Sequence, residues 1–151
     1  MSTQRDGSVI FAPSNRTLRI MNSQAVQLNL ILAWLWIVIG FAVGFFFGLN
    51  FHKERWLGGY TSFRRRLYRL GHISFFGLAG VNFVFYLTTR SFTHASIPVT
   101  VASWGFVLGA VTMPICCFVL AHWPRLRALF LIPVVSLITG GTLTLWEVIK
   151  L

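Results

Sequence analysis

From Leu28 onward the chain reads as four long apolar runs separated by short polar stretches: Leu28 to Phe51, Leu67 to Thr88, Pro98 to Ala121 and Leu126 to Ile149. Apolar residues follow one another without the strict alternation of a half-buried strand, which disfavours a hairpin-rich barrel. Each run supplies the roughly 20 mostly apolar residues that carry a helix across a hydrocarbon core of about 30 Å. Charge is confined to the ends of these runs, at Arg69, Arg127 and Glu147. The pattern predicts an all-α integral membrane protein: a four-transmembrane-helix bundle with short connections over 28–151, preceded by a polar N-terminal tail over 1–27 that lies along a partner or the membrane surface. No small-residue cleavage site follows the first run, so that helix is expected to be retained rather than removed as a signal peptide.

Composition agrees with this reading, at 56% hydrophobic residues and a mean hydropathy of +0.72. Charge then adds an orientation. The first connection and the turn after it hold Lys53, Arg55, Arg64, Arg65, Arg66 and Arg69, and the third connection adds Arg125 and Arg127, whereas the other side holds Arg5, Arg16, Arg19, Arg90 and Lys150. Basic residues near span ends favour the cytoplasm, so both termini are expected on the non-cytoplasmic side of a bacterial inner membrane or an equivalent energy-transducing membrane. The six residues from Lys53 to Arg69 are read as a topology anchor at the headgroups, able also to attract anionic lipid or an acidic partner subunit. Membrane flanks account for most of the net charge of +10, so nucleic acid is not an expected partner. Trp34, Trp36, Trp56, Trp104, Trp123 and Trp146 lie mostly toward span ends, as in an aromatic belt.

Helix association in lipid depends on close van der Waals contact and interhelical hydrogen bonds, and small residues permit both. Gly40, Gly44 and Gly48 recur every four residues and form a ridge on the first span, drifting about 40° per step. Gly105 and Gly109 repeat the device in the third span, and Ser136, Gly140 and Thr144 in the fourth. These eight positions are the predicted helix-packing residues. Pro114 and Pro133 interrupt the third and fourth helices, where each removes a backbone hydrogen bond. Cys116 and Cys117 are adjacent on one helix, a poor geometry for a disulfide, and read as small packing residues.

The chemistry available is sparse. Asp6, Glu54 and Glu147 are the only acids, which leaves no material for paired-carboxylate catalysis or a Ser-His-Asp arrangement. No phosphate loop or zinc-protease motif is present, so the chain is not expected to be an enzyme. His72, His52 and His122 fall toward one side of the membrane and are the candidate cofactor ligands, since imidazoles from two helices can hold a b-type haem. His72 is the first choice because Gly71 beside it would admit a flat ligand. No metal-binding cluster is otherwise expected. Asn82 is the strongly polar side chain near the middle of the second span. Three functions follow. The first is an accessory or scaffolding subunit of a larger inner-membrane complex of respiratory or photosynthetic electron transport. The second is a haem- or metal-binding electron carrier using His72 with His52 or His122. The third is a small transporter or channel.

Overall fold

A computed structural model describes residues 15–92 and 96–151, with side chains described from residue 24 onward. Among the described residues the structure is helical and contains no strand. Helix α1 spans Asn15–Phe51, α2 Phe63–Thr89, α3 Ile97–His122 and α4 Leu131–Ile149. Short 3₁₀ turns at Trp56–Gly58 and Pro124–Phe130 precede α2 and α4. All four helices are long and apolar enough to cross a membrane. The first begins well before Leu28, so the second half of the expected tail is helix; residues 1–14 of that tail lie outside the described residues. The fourth helix starts later than expected, because the segment from Pro124 winds as 3₁₀ before turning α-helical.

Local sequence explains the helix starts. Ser62 Oγ accepts from the Arg65 amide at 3.1 Å and so caps α2. Ser96 does the same for α3 with the Val99 amide, with Pro98 in the first turn. The α1–α2 connection turns tightly through Leu57, Gly58 and Gly59, all at positive φ. Leu57 is the costly member, since its side chain crowds the backbone in the left-handed region. Ser62 Oγ donates to the Leu57 carbonyl at 2.6 Å and holds the turn.

Helix α3 is the axis of the bundle: α1, α2 and α4 all pack against it, and α1 also packs against α2. The core is layered along that axis. Leu67, Leu120 and Ala121 lie at the end carrying the first and third connections, and Leu32, Leu78 and Ala110 form the middle. Phe85, Val99, Ala102 and Phe106 close the other end. Helix α4 rests mainly on α3 and buries only Pro133 and Gly140 fully. Much of its remaining surface, including Leu131, Val135, Ile138, Leu145 and Ile149, is exposed.

Candidate functional site

The α1–α2 contact is an antiparallel row in which each step down α1 meets a step up α2. A Cβ on Gly40 would lie 2.8 Å from the Phe76 ring, and one on Gly44 would lie 2.7 Å from His72 Nε2. Phe47 then meets Tyr68 at 5.7 Å between ring centroids, and Phe51 meets the Arg65 guanidinium. Two of the ridge glycines are therefore sockets for α2 side chains, not a seam where two backbones touch. Gly48 takes no part: nothing lies within 4 Å of its Cβ position, because Tyr68 turns aside toward Phe47, Trp56 and Phe118.

This row decides what His72 does. A helix carbonyl is shielded on its flank by the side chain four residues on; with no side chain at Gly44, the Gly40 carbonyl is open to lateral approach. His72 Nε2 donates to that carbonyl at 3.1 Å. The imidazole is half-buried, with Phe47 and Phe76 against it. Haem ligation through Nε2 would require breaking this bond and opening the α1–α2 contact. Gly71 does not provide room either, since Phe118 and Cys117 occupy the space beside it. His52 and His122 are exposed, and His122 Nδ1 faces the Phe118 carbonyl on its own helix. A chain of rings, His72, Phe47, Tyr68 and His122, separates the two imidazoles. Among the described residues no three His, Cys, Asp or Glu side chains converge on a metal-sized site.

The basic collar divides. Arg64 and Arg66 are exposed as a headgroup anchor requires, and Lys53 and Arg69 reach the Asn50 side chain and the Tyr60 carbonyl. Arg55 is exposed and precedes the first 3₁₀ turn. Arg65 corrects the expectation, because it is 0% exposed and anchors neither lipid nor partner. It lies on the α2 row of Tyr68, His72 and Phe76, three and four residues apart, and so turns inward. Its Nη2 donates to the Phe51 carbonyl at 3.0 Å, closing the C-terminus of α1, to which the Tyr60 hydroxyl also donates. Nε and Nη1 meet no oxygen. Instead the guanidinium sits over the ring of Tyr60 at 3.9 Å, with Phe51 at 5.0 Å and Trp56 at 5.7 Å. Aromatic faces and the negative end of the α1 dipole balance the buried charge.

Apart from Arg65 and Ser74, the buried polar side chains among the described residues gather in one place, and each is hydrogen-bonded there. Asn29 Nδ2 donates to Asn82 Oδ1 at 2.7 Å, Asn29 Oδ1 accepts from Ser103 Oγ, and Asn82 Nδ2 donates to the Leu78 carbonyl. The three side chains are no more than 1% exposed and tie α1, α2 and α3 together. Carbonyls near the two prolines also meet side-chain donors from another helix. Pro114 leaves the Ala110 carbonyl without its helical donor, and Trp36 Nε1 supplies one at 2.9 Å. Pro133 falls in the first turn of α4, where an amide would have no α-helical acceptor, and Cys116 Sγ donates to the nearby Leu129 carbonyl. Trp36 lies inside the bundle rather than in an aromatic belt, paired with a carbonyl four residues before Pro114, and Cys116 is a buried packing residue as its position suggested.

Comparison with protein-family models, curated proteins and solved structures finds no match.

The small residues of α3 and α4 form the seam expected of them. A Cβ on Gly105 would lie 2.9 Å from the Ser136 carbonyl oxygen, and one on Gly140 would lie 3.1 Å from the Ala102 carbonyl oxygen. Gly109 receives Leu137, and Thr144 is half-buried with its hydroxyl on the Gly140 carbonyl. Gly77, Gly80 and Gly141, in contrast, have nothing within 4 Å of their Cβ positions. Gly80 and Gly141 face a groove of about 530 Å³ between α2 and α4, floored by Phe106 and walled by Val84 and Leu145.

Proposed function

We propose that the chain is a non-enzymatic accessory or scaffolding subunit of a larger complex in a bacterial inner membrane or an equivalent energy-transducing membrane. The complex is of the kind that carries respiratory or photosynthetic electron transport, and both termini lie on the non-cytoplasmic side. The observation that carries this reading is the α2–α4 groove. Glycine in a transmembrane helix permits close approach of a neighbour. At Gly80 and Gly141 no part of the described chain approaches, which leaves the groove open to a transmembrane helix of another subunit. The exposed faces of α1 and α4 enlarge the available lateral surface, with Phe41, Phe45 and Phe46 on one and Ile138, Leu145 and Ile149 on the other.

The interior supports a packing role over transport. Asn29, Asn82 and Ser103 satisfy one another and offer no open polar path. Of the acids with described side chains, Glu147 pairs with Lys150 at 3.2 Å and Glu54 lies in an exposed connection. Extraction from the native membrane in a mild detergent tests the proposal, with native-gel mass, protein identification and an absorption spectrum read together. The chain should migrate in a complex far above its own 17.1 kDa, together with larger membrane subunits. Migration alone at monomer mass would refute the assembly. A dithionite-reduced b-haem band retained by the isolated chain would transfer the assignment to the electron-carrier reading.

A further inference from the structure

A second groove, of about 600 Å³, lies at the end of the bundle that carries the first and third connections. Its walls are Phe63, Leu67 and Leu70 of α2, Leu120 near the end of α3, and Arg127 and Phe130 of the 3₁₀ turn, with Pro124 at its edge. The segment kinks at Leu126, and Pro124, Arg127 and Phe130 line the groove whereas Arg125 does not. On α2, Arg66 stands about 40° around the helix from Leu70 and brings a second exposed cation to the same rim. The only acid in the first and third connections is Glu54, and the one ion pair among the described residues, Lys150 with Glu147, is at the opposite end. The groove thus joins an apolar bed to a cationic edge that the described chain does not neutralise. Its size falls within the roughly 300–1,000 Å³ of small-molecule sites.

We propose that this groove binds one anionic phospholipid, with its phosphodiester at Arg127 and Arg66 and an acyl chain against Phe63, Leu67 and Leu120. Basic pockets between transmembrane helices recognise lipid headgroups in this way. The inference requires that the helices span a bilayer; it does not depend on the accessory-subunit reading.

The full-length protein is reconstituted in bilayers of equal parts phosphatidylglycerol and phosphatidylcholine, extracted in mild detergent, and examined by native mass spectrometry. One phosphatidylglycerol should be retained per chain, in preference to phosphatidylcholine. Arg127→Gln should lower that occupancy by about fivefold or more, the worth of one basic residue at a membrane surface, and Arg127→Lys should restore most of it. Leu70→Trp, which narrows the groove from its exposed edge, should also displace the lipid. Arg125→Gln, an equal loss of charge two residues away, should leave occupancy within about twofold, since Arg125 does not line the groove. Equal retention of the two lipids would overturn the proposal. So would equal losses in the Arg125 and Arg127 variants, or an absence of any retained lipid.

Discussion

At the scale of single residues, the decisive feature is that similar glycines do different work. Gly44 is a socket for His72, and Gly48, one helical step on, faces open space. Gly44→Ala should therefore lower stability by about 1–3 kcal/mol through overpacking, whereas Gly48→Ala should change it by no more than about 0.5 kcal/mol. Thermal unfolding of both variants in one detergent checks the contrast. Adding His72→Ala should recover much of the Gly44→Ala loss, because the clash is with that imidazole. The four-residue spacing was legible in the chain, but spacing reports only which face is small. It does not say whether a neighbouring backbone, a side chain or lipid fills the space. The role of Trp36 was hidden for a related reason, since its indole serves a carbonyl on another helix that is freed by a proline four residues further on. Trp36→Phe should cost about 1–3 kcal/mol by leaving that buried carbonyl unsatisfied. In a Pro114→Ala background, where the helix supplies its own donor, the same substitution should cost distinctly less.

Helices themselves were the most legible level, because crossing hydrocarbon requires apolar length and nothing else in the chain provides it. Their ends were less so. Hydropathy marks the part of a helix that can sit in lipid, and α1 continues to Asn15 through polar residues that hydropathy cannot register. Arg65 was misread as part of a charged run, although its row with Tyr68, His72 and Phe76 was present in the spacing. Its contact ties two elements together: the guanidinium on α2 closes the last turn of α1. Arg65→Gln should destabilise the α1–α2 hairpin by about 1–3 kcal/mol, and hydrogen exchange should show the loss concentrated near Phe51. Between α3 and α4 the seam is backbone against backbone, so neither side can yield. Gly105→Val should separate these helices, detectable as early exchange of α4 amides while α1 to α3 stay protected. Uniform loss of protection across all four helices would contradict that division.

Across the whole molecule, the buried Asn29, Asn82 and Ser103 side chains satisfy one another inside the bundle, and the docking proposed above falls on its outer faces. Cys116 and Cys117 are buried within α3, so neither should react with a membrane-permeant maleimide until the bundle is denatured; rapid labelling of the native protein would indicate an open path. The α2–α4 groove is the proposed docking site, and it was not legible in the chain, because the small residues at 80 and 141 gain meaning only when the fold leaves them without a neighbour. One comparison tests the central claim most directly: Gly44→Leu beside Gly141→Leu, each expressed in its native membrane and assayed for thermal stability and for the mass of the extracted complex. Gly44→Leu should weaken the bundle itself. Gly141→Leu should leave unfolding of the chain unchanged while releasing it from the larger assembly. A Gly141→Leu protein that stays in a complex of full mass, or one that loses its own fold as Gly44→Leu does, would contradict the division between a packed interior and an outward docking face.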